Sequence, residues 1–209
     1  MQKRNLTILI VVICILVLGV LYFSLCARDS TAQPAPGAAD VMVLPKPDTQ
    51  GGMPLMQALS LRKSGRDFSN RAITEQELSD LLWACCGVNR ADGHRTPPFS
   101  QNRQLVEVYV TLESGVYRYD APKHQLVREL AGDMRSRYGA PLTLIFAADS
   151  EYYASGMHVG SLYQNVGLYC ASVGLANVVK RNGVDALDGL LKLPPGYRVF
   201  IVQSLGYPR

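Results

Sequence analysis

The sequence predicts an α+β domain behind an N-terminal membrane-spanning segment, and three observations carry that prediction. Residues 6–25, LTILIVVICILVLGVLYFSL, contain no charge and no proline. Thr74-Glu75-Gln76-Glu77 opens an amphipathic helix with a capping box, and a longer helical pattern covers about residues 157–174. Around these helices, LVEVYVTL (105–112), PLTLIFAAD (141–149) and YRVFIVQSLGYP have the β-branched or continuous apolar character of strands. Helices and strands do not alternate as regular βαβ crossovers do, which separates the chain from the parallel α/β folds.

A run of about 20 apolar residues is what a helix needs to cross the hydrocarbon core of a bilayer. Lys3 and Arg4 precede the run. A basic flank stays in the cytoplasm, so the folded domain is expected to be membrane-anchored on the extracytoplasmic (periplasmic) side. Export after cleavage of a signal segment is the alternative, with a small-residue site at Ser30-Thr31-Ala32. Cys26 follows Leu25 rather than a small residue, which argues against a lipoprotein. Residues 1–26 thus form the anchor or signal segment, and the Ala/Pro-rich residues 27–50 a linker with little capacity to bury a core. Residues 51–209 have the length of one domain.

Composition removes several function classes. The net charge is +4 with the positive residues scattered, whereas nucleic-acid binding calls for a basic stripe with interleaved aromatics. Cys14 and Cys26 lie in or beside the anchor, Cys85 and Cys86 are adjacent, and Cys170 sits in a helical apolar pattern, so neither a disulfide framework nor zinc ligation follows. His94, His124 and His158 have no metal spacing. There is no GxSxG elbow, GxGxxG loop or Walker A motif.

Between Gly51 and the C-terminus the elements follow in order. Pro54 is a favoured first-turn residue for a helix over PLMQALSL. The helix opened by Thr74 carries apolar residues at 78, 81, 82 and 85 and closes at Gly87. Residues 88–104 read as a long loop, which in a compact domain is usually functional. LVEVYVTL turns through Glu113-Ser114-Gly115 into VYRYD, a hairpin. Residues 124–137 are expected to be helical, 141–149 a buried central strand, and 184–191 a short helix before Pro194-Pro195-Gly196 and the last strand.

Two polar stretches invite a ligand. In LRKSGRDF (61–68) an extended chain would place Arg62, Ser64 and Arg66 on one side, a fork of two guanidiniums and a hydroxyl suited to phosphate oxygens. In RTPPFSQNRQ the residues Ser100, Asn102 and Gln104 again alternate, and amides can pair with the edges of a planar heterocycle. Either stretch alone also fits a solvated surface. No side chain stands out as catalytic, so the chemistry is expected to come from a bound cofactor.

LRKSGRDFSNRAITEQELSDLLWACCGVN, RTPPFSQNRQLVEVYVTLESGVYRYD, HVGSLYQNVGLYCASVGLANVV and the terminal LGYP occur in that order. Together they resemble the blocks of the nitroreductase-like flavoprotein family, in the branch of SagB/ThcOx-type dehydrogenases, over about residues 53–209. The resemblance implies a central, mostly antiparallel sheet flanked by helices. It also implies a homodimer with FMN at the subunit interface, and hydride transfer by a ping-pong cycle, commonly from NAD(P)H to a small-molecule acceptor. By motif match, Arg62, Lys63, Ser64 and Arg66 would hold the phosphate and ribityl chain. Pro98, Ser100, Asn102 and Gln104 would lie along the flavin from the other subunit. Gly174 and Leu175 would present backbone to its ring edge, and Arg209 would be a further phosphate ligand. The sequence departs from the pattern at Phe99, where the family has serine, and at His158, where aspartate is common. Arg137-Tyr138 stands nearest to the Lys-Tyr base of the azoline-oxidising members, and arginine is a poor base. A flavin-fold binding protein with little turnover and an azoline-type dehydrogenase are the alternatives.

Overall fold

Thr74 accepts the backbone N–H of Glu77 on its hydroxyl (3.2 Å), and the Glu77 carboxylate accepts the N–H of Thr74 (2.8 Å), the reciprocal pair the sequence encodes. The computed structural model describes residues 40–209. The segment expected over residues 6–25 lies outside them. Among the described residues no helix is long and apolar enough to cross a membrane.

The elements are β1 (Val41–Val43), α1 (Leu55–Leu61), α2 (Glu75–Cys86), β2 (Val106–Leu112), β3 (Gly115–Asp120), β4 (Gln125–Ala131), β5 (Leu142–Asp149), α3 (Ser155–Val173), β6 (Ala176–Lys180), α4 (Asp185–Asp188) and β7 (Tyr197–Gly206). The strands form one sheet in the order β1-β4-β3-β2-β5-β7-β6, with every neighbouring pair antiparallel. The α+β class and the antiparallel sheet are as expected.

Strand β5 is buried on both faces, which is why its sequence is a continuous apolar run. Leu142, Leu144, Phe146 and Ala148 face a core shared with Leu81 and Leu82 of α2 and Leu162 and Val166 of α3. The intervening Ile145 and Ala147 face a second core with Val184, Leu187 and Leu191. Helices α2 and α3 thus cover one face of the sheet, while α4 and its flanks cover part of the other.

Two expectations are corrected. Residues 124–137 are not helical: Gln125–Ala131 is strand β4, followed by a single 3-10 turn at Arg135–Arg137. HQLVREL is rich in helix formers, but β3 would otherwise expose unpaired backbone groups, and pairing with β4 satisfies them. Residues 41–50 also do not behave as a tether. Val41–Val43 pairs with β4, and Leu44 is buried in the main core. Ser79, on α2, donates to the Pro45 carbonyl (2.6 Å) and lies 2.7 Å from Nε2 of His124, whose Nδ1 is 2.8 Å from the Tyr119 hydroxyl. In that Ser-His-Tyr chain Ser79 and Tyr119 are buried and His124 half-buried, and it fastens the start of the fold. The expected short helix shrinks to Asp185–Asp188.

Candidate cofactor site

Helix α3 ends where Gly174 adopts a left-handed conformation (φ 77°), and the N–H groups of Gly174 and Leu175 both return to the Cys170 carbonyl. Beside this turn lies a cavity of about 320 Å³ lined by Leu61, Lys63, Gly65, Leu175, Asn177 and Pro208, among others. The basic run reaches it by lying against the sheet edge: the N–H of Gly65 donates to the Asn177 carbonyl on β6 (2.8 Å), and Phe68 bridges to Pro208. A Cβ at Gly65 would meet that of Ala176 at 2.9 Å, so this approach requires glycine.

The predicted fork does not line this cavity: Lys63 and Gly65 do, while Arg62, Ser64 and Arg66 are exposed and outside its lining. The stem of Arg62 crosses Gly167 of α3 near the Asn177 amide. The charge of Arg66 is felt at Lys180 on β6, whose ammonium is pushed down by burial and then by Arg66, and donates to the Tyr138 carbonyl (2.9 Å). Among the described residues none of Arg62, Lys63, Arg66 and Lys180 forms a salt bridge, so Lys63 brings the cavity a positive charge without an acidic partner. Arg209 faces another cavity: its guanidinium donates to the Phe68 carbonyl (3.3 Å) and lies 3.5 Å from Asp67, while its neighbour Pro208 lines the first cavity. The free N–H groups that a ring edge would need are absent at Gly174 and Leu175, because the helix cap uses both.

The amide loop sits at the other end of α3. Ser100–Asn102 is a single 3-10 turn in which Gln101 and Asn102 have φ of 53°, so Ser100, Asn102 and Gln104 do not alternate along an extended chain. Gln104 donates to Asn102 Oδ1 and to the Gly93 carbonyl, both at 3.1 Å, bracing the loop. Pro98 is exposed, whereas Phe99 turns inward against the core and stacks edge-on to His158 (4.9 Å between rings). The Ser100 N–H donates to Nε2 of His158 (2.9 Å), and its hydroxyl lies 2.8 Å from that of Tyr153. The hydrogen bonds from Ser100 and then Tyr152 hold the exposed Tyr153 phenol below its usual range.

No motif or spacing singles out Asn177, Lys180, Tyr152 or Tyr153. Asn177 carries a signal in retrospect, as a polar residue inside the buried run LANVV; the tyrosines acquire their role only from the loop between β5 and α3. Cys85, Cys86 and Cys170 are buried; burial pushes the Cys85 thiol well up and the Cys170 thiol to about 12, which leaves those two unreactive.

The fold and the basic cavity define a class: an antiparallel α+β domain whose helix α3 ends at a hollow lined by Lys63. The chain belongs to the nitroreductase family, whose model matches residues 59–207, and it is an oxidoreductase of that family. It is 31% identical over 166 residues to a provisionally named nitroreductase of Methanocaldococcus jannaschii, covering 66% of this chain and 83% of the relative. It resembles the crystal structure of another provisionally named nitroreductase, from Ralstonia eutropha, with TM-score 0.76 and 37% identity over 84% of this chain and 93% of that one. The fold is also shared with a Bacteroides fragilis nitroreductase solved with FMN bound (TM-score 0.54, 16% identity, 74% and 88% coverage).

Proposed function

We propose that this protein is an FMN-dependent oxidoreductase that works as a homodimer, with NAD(P)H as hydride donor and a small molecule as acceptor. The observation that carries the proposal is a cavity lined by Lys63, beside which the stem of Arg62 runs, in a stretch where Arg62, Lys63 and Arg66 form no salt bridge. A phosphomonoester matches such a set, since guanidinium and ammonium groups make charge-assisted bonds to its oxygens. When bound, FMN supplies a two-electron redox centre that accepts a hydride and passes it on, so donor and acceptor visit the site in turn.

The distance along α3 favours two copies. Ser100 contacts His158 near one end and the basic cavity adjoins Gly174 at the other, a span of about 24 Å at 1.5 Å per residue. One copy does not bring the amide loop and the basic run to one ligand, whereas a partner's loop placed over the cavity does. Helix α1 leaves Leu55 (62%) and Met56 (76%) exposed together with Leu59 and Leu61, an apolar surface suited to that partner. Pro98, Ser100, Asn102 and Gln104 then rim the ring from the second copy. Placement in the SagB/ThcOx-type branch and tethering to a membrane through residues 6–25 complete the proposal.

Titration of the full-length protein with FMN, followed by quenching of flavin fluorescence, tests the cofactor; sedimentation tests the dimer. Saturation is expected near about one FMN per chain, on a species of twice the chain mass. A protein that takes up no FMN overturns the proposal.

A further inference from the structure

Gln203 lies on β7, 1% exposed, and its amide nitrogen makes two contacts: 3.2 Å to the backbone carbonyl of Tyr163 on α3 and 2.9 Å to Oδ1 of Asn177 on β6. These two bonds fix both amides without ambiguity. A backbone carbonyl only accepts, so Gln203 must turn Nε2 toward Tyr163. The second hydrogen of that nitrogen then requires an acceptor, so Asn177 must present Oδ1 to it. What remains of Asn177 is its NH₂ group, a double donor that no described residue accepts. Asn177 is itself 6% exposed and lines the cavity that Lys63 and Gly65 share. The arrangement leaves Gln203 Oε1 buried with no partner, an unfavourable state for an amide whose only role was packing.

We infer that Asn177 is a ligand-binding residue, donating its amide N–H to an oxygen of the phosphorylated ribityl end of the cofactor, and that Gln203 is the positioning residue that aims it. The inference rests on the FMN reading above. An apolar residue at 203 would leave Asn177 free to rotate and offer Oδ1, an acceptor, to the same oxygens. An acceptor there is repelled by phosphate and matches a ribityl hydroxyl only through the hydroxyl's own proton. Lys63 supplies charge to this cavity; Asn177 supplies direction.

FMN dissociation constants of the full-length protein and of N177D, N177A, Q203M and N177A/Q203M test this, alongside thermal melts of each without flavin. N177D keeps the acceptor that Gln203 needs and replaces the donor facing the cavity by a carboxylate oxygen that also repels phosphate, whereas N177A removes the donor without adding charge. Weakening of about tenfold or more is expected for N177D and N177A. Q203M should weaken binding although residue 203 does not line the cavity, and the double variant should bind no more weakly than N177A. Should Q203M not fold, the side-chain amide NMR signal of Asn177 replaces it, and a shift of that signal on FMN addition is expected. FMN binding by N177D and N177A equal to the wild type, additive losses in the double variant, or an unmoved Asn177 signal overturns the inference. A wild-type protein that binds no FMN overturns instead the reading on which it rests.

Discussion

The backbone N–H of Ser100 is donated to Nε2 of His158 at 2.9 Å, tying the loop 98–104 to the N-terminal part of α3. With Nε2 accepting, the proton of the neutral ring resides on Nδ1, which is buried and has no partner among the described residues. A second proton on the ring would take Nε2 away from Ser100. The site at which the sequence departs from the family's aspartate therefore holds the amide loop in place through a neutral imidazole.

A pH dependence of stability follows. Burial pushes the His158 pKa down, so the unfolded chain, with an imidazole titrating at about 6.5, binds this proton more readily than the folded chain. Stability from this group is full above about pH 6.5, declines as pH falls below it, and levels off once the folded-state ring is also protonated. His124, also pushed down mainly by burial, acts with the same sign. Thermal melts from about pH 8 to 5 should show a decline in the wild type and a smaller one in H158Q, whose amide oxygen can accept from Ser100 without titrating. An identical profile in the two proteins contradicts the assignment.

Removing the fork should release cofactor without unfolding the chain. Arg62 and Arg66 are exposed, so R62A/R66A should melt close to the wild type. Its FMN affinity should drop at least about tenfold, or about 1.4 kcal/mol, through loss of charge-assisted bonds. Calorimetric titration reads both the stoichiometry and the loss; undiminished affinity removes these arginines from the site.

Much of the fold was legible where one local rule acts without competition. The capping box at Thr74, the hairpin through Ser114 and the buried strand β5 each follow from turn chemistry or apolar periodicity, and each is observed. Strand β4 was not legible, because its helix-forming composition is overridden by backbone pairing with β3 and β1. Of the candidate site, the basic run and the Gly174 turn were legible as local features, since both are contiguous in sequence; the use of the Gly174 and Leu175 N–H groups by the helix cap was not. The Asn177–Gln203 pair could not, because strand pairing and helix packing bring together residues 26 positions apart.

Loss of the capping box at the start of α2 lowers the stability of the whole domain. The T74A substitution removes the hydroxyl that accepts the Glu77 N–H and should cost about 1 kcal/mol in denaturant unfolding. Burial alone would raise the Glu77 carboxyl, but bonds from Tyr207 and Thr74 and the charge of Arg71 hold it below its usual range. The stability Glu77 contributes is therefore lost as pH falls through its lowered folded-state value. A T74A protein as stable as the wild type contradicts the role of the cap.

The start of the domain is a further test. A chain beginning at residue 51 lacks β1, Leu44 and the Pro45 carbonyl that receives Ser79, whereas one beginning at residue 40 keeps all three. The shorter chain should melt lower by at least about 2 °C, the shift that a loss of about 1 kcal/mol produces in a domain of this size. Equal melting temperatures would return residues 41–50 to the linker.

The most direct measurement is the visible spectrum of the purified full-length protein, taken before and after addition of NAD(P)H under exclusion of air. The expected result is a yellow protein with a flavin band at about 450 nm that bleaches on addition of the nucleotide. A colourless protein that gains no such band after incubation with FMN contradicts the assignment of the basic cavity to a flavin phosphate.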